Sequence, residues 1–342
     1  MLTKLKQGIR PYTILAQDWL RYELSCNQLG YLRIRNRMER LGWGPIANSY
    51  VCLWPYTSRL KAVEEWPFIG RLLFKRILRD NKFSFRDDRK DKENIDVSVL
   101  IGHRGQKRID LLLSTLRSFA TQEGVSIECI VIEQDSKQQI DGRLPGWVRY
   151  AFQEIDSENG GYNRASAFNF GARLAQGKVL ILHDNDMLVP VDYCNKIFEQ
   201  VQKGYSALNT KRFVFYLSKE DTQNVSQSVD RLKSATPLYI VQNLEAGGSM
   251  AITKEAYFEI GGMDEEFVGW GGEDNEFWQR CSSLRRWIWG FSPIIHLWHE
   301  SQPLKECTTN ENITRARMLE TIDIMERIRI LKEKNNMIHD KE

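Results

Sequence analysis

Three short apolar runs separated by helical segments constrain this chain more than any other feature. Asp96-Val97-Ser98-Val99-Leu100-Ile101 ends at Gly102, a helix-period stretch follows through Leu111, Leu112, Leu116 and Phe119, and a second apolar run spans Ile127 to Ile132. A further helical stretch through Ala165, Phe168, Phe170 and Leu174 stops at Gly177, and Lys178-Val179-Leu180-Ile181-Leu182 is the third run. Continuously apolar runs mark strands buried on both faces, and strands alternating with helices build a parallel sheet. An α/β domain follows. Because such sheets bind ligands beyond the carboxyl ends of their strands, the chemistry is expected after Leu100, Ile132 and Leu182.

Outside this core the pattern changes. Residues 1–92 are rich in Arg, Leu, Trp and Tyr with broken helical periodicity, and read as a helical, basic and aromatic appendage. Its stretch from Trp66 to Arg79 is basic and amphipathic, suited either to packing on the next domain, which is the expectation, or to an anionic membrane surface. Arg86 to Asn94 is almost wholly charged and reads as a solvated linker, which puts a boundary near residue 92 and a catalytic domain at 93–306. The tail 307–342 is expected to be helical, as one long helix from Asn310, with no assigned chemistry.

Composition narrows the class. The formal charge of +3 is a small difference between 48 basic and 45 acidic residues, which excludes a whole-chain nucleic-acid footprint and makes any electrostatic function local. Six cysteines without CxxC pairs suit a reducing compartment. No apolar run reaches the length of a membrane span and the first thirty residues do not read as a secretory signal, so the expected location is cytoplasmic, with peripheral contact at the inner face of a membrane left open.

Three constellations carry chemistry. His183-Asp184-Asn185-Asp186 follows the third strand, and two carboxylates one residue apart in a turn can converge on Mg²⁺ or Mn²⁺ or divide their work between metal and ribose; an acidic surface turn is the plain alternative. Gly247-Gly248, then Gly261-Gly262, then Trp270-Gly271-Gly272-Glu273-Asp274 combine glycines that permit close backbone approach with carboxylates at the positive end of a helix. Such a carboxylate can act as a general base, although a helix cap after a glycine turn would also explain Asp274. His296-Leu297-Trp298-His299 offers two imidazoles, either of which could complete a site begun by Asp186.

In order and spacing, these segments resemble the β-1,4-galactosyltransferases and their relatives, which include polypeptide N-acetylgalactosaminyltransferases and bacterial chondroitin-type polymerases. Ile101-Gly102-His103-Arg104, Val131-Ile132-Glu133-Gln134, Tyr162-Asn163-Arg164-Ala165, the Asp184–Asp186 pair and Gly269-Trp270-Gly271-Gly272-Glu273-Asp274 occur in the family's sequence. The resemblance covers about Val97 to Glu300 and implies a GT-A fold, a Rossmann-like mixed sheet flanked by helices. It also implies roles. Gly102, His103, Arg104, Glu133, Arg164, Asp184 and Trp270 would contact the donor nucleotide, Glu273, Gly248 and Trp270 the acceptor, and Asp274 would be the catalytic base. Asp186 and His299 would hold the metal, with Asp184 and His296 as further candidates.

The implied activity is a metal-dependent inverting transfer of a hexose or N-acetylhexosamine, galactose or N-acetylgalactosamine favoured, from a UDP-sugar to a hydroxyl of a glycan or glycolipid acceptor, in the setting of bacterial surface polysaccharide synthesis. Mn²⁺ or Mg²⁺ would be the cofactor. Departures from the family pattern at Gly102, His103, Asn185, Asn275 and His296 prevent the donor, acceptor and metal from being copied across. A retaining transferase on the same fold and a non-catalytic carbohydrate-binding protein are the alternatives. A nucleotidyltransferase fits less well, since no Gly-rich GxGxR-type loop stands near the first strand.

Overall fold

A computed structural model describes residues 15–35, 41–43, 50–52, 57–90, 94–155, 161–300 and 305–339. The expected boundary at residue 92 lies outside the described residues. In chain order the elements that position the site are α1 (Pro67–Asp80), β1 (Val97–His103), α2 (Ile109–Phe119), β2 (Ile127–Asp135), β3 (Arg149–Glu154), α3 (Arg164–Leu174), β4 (Val179–His183), β5 (Met187–Leu188) and α4 (Tyr193–Gln202). They continue with β6 (Ala207–Asn209), β7 (Lys211–Tyr216), β8 (Tyr239–Gln242), β9 (Ser249–Thr253), α5 (Lys254–Glu259), α6 (Glu273–Arg280), β10 (Arg286–Trp287), β11 (Ser292–His296), α7 (Lys305–Glu320) and α8 (Ile324–His339).

The three apolar runs form the centre of a seven-stranded sheet in the order β10-β6-β9-β4-β1-β2-β3. As expected, β1 pairs in parallel with β2 and β4, while β9 runs antiparallel to β4 and β6, which makes the sheet mixed. Side chains alternate between its faces. Val97, Val99, Ile101, Cys129, Val131, Val179 and Ile181 share one core with Leu112, Leu116 and Phe119 of α2 and Ile197 of α4. Leu100, Ile130, Ile132, Leu180 and Leu182 point the other way, onto Phe168 of α3, Tyr257 of α5 and Phe277 of α6. Strands covered on both faces by helices have no room for polar side chains, which is why the runs are continuously apolar.

A second sheet was not legible in the sequence. It has five strands, in the order Ser58–Arg59, β8, β7, β11, β5. Val214, Val241 and Ile294 turn into the core against the first sheet, whereas Phe213, Phe215, Ile240 and Ile295 turn outward. The N-terminal segment covers that outward face: Tyr22, Tyr31, Val63, Leu73, Phe74 and Ile77 join the same buried cluster. Phe74 is fully buried with its ring centroid 4.7 Å from that of Phe215. The segment is thus part of the fold, contributing a helix face and an edge strand, and packing accounts for the buried face of α1.

Two sequence expectations are corrected. The charged run after Arg86 is anchored rather than freely solvated: the Arg86 amide donates to the Arg117 carbonyl, and the Arg89 guanidinium donates to the carbonyls of Gln122 (2.6 Å) and Val125 (3.1 Å). The tail forms two helices instead of one, because Asp323 Oδ1 accepts from the amides of Met325 (2.9 Å) and Glu326 (3.4 Å) and so starts α8 as a new helix.

Candidate active site

The Asp184-Asn185-Asp186 turn is where the chain crosses from one sheet to the other. It leaves β4 of the large sheet at His183 and enters β5 of the small sheet at Met187, which pairs with His296 of β11. The Leu297 amide donates to the Asp186 carbonyl at 2.8 Å, and the Asp184 amide to the Gly248 carbonyl at 2.8 Å. Sheet pairing thereby closes a long sequence separation and brings both imidazoles to the turn.

Three side chains converge there. Asp186, His296 and His299 each offer a ligand atom, and these atoms lie within 4.8 Å of one another. His299 Nε2 is 3.3 Å from Asp186 Oδ2, and His296 Nε2 is 3.9 Å from Asp186 Oδ1. Asp186 is 3% exposed, and its Oδ1 is buried without a hydrogen-bond donor among the described residues. A buried carboxylate oxygen with an unused lone pair, facing two imidazole nitrogens, is a donor set that fits a divalent ion such as Mn²⁺. Burial holds the His299 imidazole below its ordinary pKa, against the opposing pull of Asp186, which favours the neutral form a metal requires. His296 is held flat by stacking on Tyr216, with centroids 4.4 Å apart.

A second cluster gathers around Arg164. This arginine is the first residue of α3, where a cation opposes the helix dipole, and three carboxylates offset that placement. Its guanidinium donates through Nε to Asp184 Oδ1 at 3.0 Å, with Nη2 2.7 Å from the same oxygen, and through Nη1 to Asp274 Oδ1, with Glu273 Oε1 3.6 Å from Nη1. Glu273 and Asp274 open α6, at its positive end. Burial, with the adjacent Asp274 charge second, pushes the Glu273 carboxyl up to about 7. Fully buried Lys211 lies behind this cluster, its ammonium donating to the Ser249 carbonyl, and burial lowers its pKa to about 7.

The paired glycines link the clusters. Gly247 and Gly248 have φ of +76° and +69°; a Cβ on Gly247 would stand 2.9 Å from Asp274 Oδ2, and one on Gly248 would stand 2.8 Å from Met187 Cε. One two-residue turn therefore touches the segment that carries the metal-ligand candidate and the carboxylate expected to act as base.

The other sequence candidates occupy different stations. Gly102 is buried against Tyr162, whose hydroxyl would be 2.2 Å from an added Cβ. His103 is buried, its Nε2 2.7 Å from the Gly105 carbonyl and its Nδ1 2.8 Å from Asn185 Nδ2, and Arg104 is half-buried beside it. Glu133 was expected to face the nucleotide; instead it is completely buried, accepting from the Gln139 amide (3.1 Å) and the Tyr150 hydroxyl (2.6 Å), so that its carboxylate organises the turn after β2. Trp270 is 43% exposed, and the segment bearing it is held from the tail: Asn312 Nδ2 donates to the carbonyls of Val268 (3.1 Å) and Trp270 (3.2 Å).

Sequence reading missed Arg108, which touches both Asp186 and His299. The only hint was an arginine just ahead of the helix that follows β1.

Comparison with known proteins agrees with this architecture. The family model described as "Glycosyltransferase like family 2" matches residues 98–305. Among curated proteins, the probable N-acetylgalactosaminyltransferase 9 of Caenorhabditis elegans is 36% identical over 87 residues, 24% of this chain and 13% of that protein. The chondroitin synthase of Escherichia coli is 23% identical over 208 residues, 51% of this chain and 30% of that protein. Human beta-1,4-galactosyltransferase 3 is 24% identical over 184 residues, 52% of this chain and 35% of that protein. The chain thus spans about a third or less of the length of these relatives. Among solved structures, the catalytic domain of Drosophila beta1,4galactosyltransferase 7 in complex with xylobiose superposes with a TM-score of 0.38 and 18% identity, over 63% of this chain and 79% of that one, a likeness too loose to add to the family match. The family match runs from within β1 through β11 and takes in both side-chain clusters, and on it the chain belongs to the glycosyltransferase like family 2.

Proposed function

We infer that this protein is a metal-dependent, inverting glycosyltransferase that moves a hexose or N-acetylhexosamine from a UDP-sugar to a hydroxyl of a glycan or glycolipid. The observation that carries the reading is the convergence of Asp186, His296 and His299, joined through the Gly247-Gly248 turn to Asp274. These three residues would hold Mn²⁺ or Mg²⁺, which when bound supplies positive charge to the departing diphosphate. Asp274 takes the proton of the acceptor hydroxyl as its oxygen attacks the anomeric carbon from the face opposite the diphosphate. The old carbon–oxygen bond breaks with its electron pair leaving on UDP. Gal and GalNAc are favoured as donor sugars by the names of the relatives, and bacterial surface polysaccharide synthesis is the setting we favour.

The half of α1 that faces away from the core supports a reading of location as well. Trp66 (43% exposed), Phe68 (62%) and Leu72 (42%) stand beside exposed Arg71 and Lys75, and an aromatic and basic face of this kind suits peripheral contact with anionic lipid at the cytoplasmic leaflet. No described helix is long and apolar enough to cross a membrane.

A panel of UDP-sugars incubated with and without Mn²⁺, reading UDP release by slow donor hydrolysis, tests the reaction without an acceptor. Metal-stimulated release from one or two donors is expected, and no release from any donor with any divalent ion would refute the reading. NMR of the product decides between inversion and retention. Sedimentation with phosphatidylserine vesicles tests the lipid contact, which fails if the protein stays in the supernatant at low salt.

A further inference from the structure

Arg108, the cap residue ahead of α2 at the carboxyl end of β1, is tied to two of the three metal-ligand candidates. Its Nη1 is 3.4 Å from Asp186 Oδ2, and its Nη2 donates to His299 Nδ1 at 2.9 Å and to the Glu300 carbonyl at 3.3 Å. The guanidinium is always protonated and has no acceptor atom, so His299 Nδ1 must offer it a lone pair. A neutral imidazole has only one such lone pair, and Nε2 then carries the hydrogen, directed at Asp186 Oδ2 3.3 Å away.

This arrangement conflicts with metal binding whichever ring nitrogen is used. If an ion took Nδ1, Arg108 would be displaced directly. If it took Nε2, the hydrogen would move to Nδ1, where the Glu300 carbonyl, 2.9 Å away, is ready to accept it, and two donors would then face each other across the Arg108 contact. The two contacts at Nδ1, one with a donor and one with an acceptor, correspond to opposite tautomers. A fixed positive charge 3.4 Å from Asp186 also opposes the arrival of a second cation.

We propose that Arg108 is the site's resident cation: it and a divalent ion exclude one another at Asp186 and His299, and a nucleoside diphosphate favours the ion by giving the displaced guanidinium a new anionic partner. The proposal rests on the metal-dependent reading above and assigns Arg108 a donor-binding role within it. A planar guanidinium at the carboxyl end of β1, where the sheet binds ligand, is suited to bidentate contact with a diphosphate. Metal and nucleotide therefore load cooperatively, and by linkage each tightens the other by the same factor.

The test is Mn²⁺ binding to the whole chain, read from the loss of the free-ion electron paramagnetic resonance signal, with and without UDP. Without UDP, Arg108→Gln should bind Mn²⁺ roughly tenfold more tightly than the parent, the loss of about one charge-assisted contact, and Arg108→Lys should fall between them. UDP should tighten Mn²⁺ binding in the parent and do so much less in Arg108→Gln. Two-bond proton–nitrogen NMR gives a readout on the unmodified protein: His299 should carry its hydrogen on Nε2 without metal, and its Nδ1 signal should shift on titration with Mg²⁺ as the Arg108 contact breaks, whichever nitrogen the ion takes. If Arg108→Gln binds Mn²⁺ no more tightly than the parent without UDP, while Asp186→Asn abolishes binding, the role of Arg108 is overturned and the metal site survives. If neither the parent nor Arg108→Gln binds any divalent ion, with or without UDP, both are overturned.

Discussion

Replacing Glu273 by glutamine should make the protein more stable at pH 8 and leave it unchanged at pH 4. Only 11% of the Glu273 side chain is exposed; burial, and then the charge of Asp274, raise its carboxyl from 4.5 to about 7, although Arg164 pulls the other way. The sign follows from proton counting. Between pH 4.5 and 7 the folded chain keeps a proton that the unfolded chain has lost, so stability falls as pH rises through that window, and the whole cost is present above it. A carboxyl held at about 7 instead of 4.5 corresponds to about 3 kcal/mol above pH 7. Glutamine keeps the shape and cannot ionise, so the variant lacks this cost. Thermal or urea unfolding of both proteins from pH 4 to pH 8 measures the difference, which should open between pH 4.5 and 7.5. A gap that is the same at every pH, or one that favours the parent at pH 8, would refute the reasoning. Carbon-13 NMR of the Glu273 carboxyl checks its cause, since Asp274→Asn should move that titration downward.

The remaining predictions address the base, the N-terminal segment and the tail. Asp274→Asn should bind UDP-sugar as the parent does, by calorimetry, while kcat falls by roughly 10²–10⁴, the usual contribution of a general base; parental turnover would remove Asp274 from that role. Phe74→Ala should cost about 3–5 kcal/mol in urea unfolding, because its ring fills a fully buried place against Phe215, and a loss below about 1 kcal/mol would mean the segment is only loosely attached. Asn312→Ala removes two hydrogen bonds to the Trp270 segment, so hydrogen exchange at residues 268–272 should quicken by roughly tenfold, and unchanged protection would show that the tail does not hold it.

Much of the large sheet could be read from the sequence because its central strands are buried on both faces and therefore continuously apolar. The small sheet had no such signature. β7 begins with Lys211 and Arg212, which are buried here only because Lys211 reaches the Ser249 carbonyl and Arg212 reaches Asn243 and the Leu32 carbonyl. β11 carries Pro293 and β5 has two residues, so neither shows a strand period. Asp184, Asp186, Asp274 and His299 stand out in the sequence by residue type and order, and the fold gathers them into two neighbouring clusters. Glu133 could not be placed correctly, since position at a strand end does not say whether a carboxylate faces the cleft or the turn behind it. Arg108 was hidden for a related reason: its meaning lies in distances to residues 78 and 191 positions away, and no spacing rule encodes them.

The division of labour within the turn has a structural origin. Asp184 is fastened to the large sheet by the hydrogen bond from its amide to the Gly248 carbonyl and turns its carboxylate to Arg164, Asn185 reaches His103, and the Asp186 carbonyl is fastened to the small sheet by the Leu297 amide while its carboxylate turns to the imidazoles. Each residue answers to a different partner because the chain changes sheets at this point. Two carboxylates so close in sequence would repel if both faced one space without a cation, yet here each faces a different guanidinium, Asp184 that of Arg164, which it shares with Glu273 and Asp274, and Asp186 that of Arg108. An acidic turn at the seam of two sheets thus has a guanidinium on each side, and under the role proposed for Arg108 a divalent ion reaching Asp186 must displace one of them.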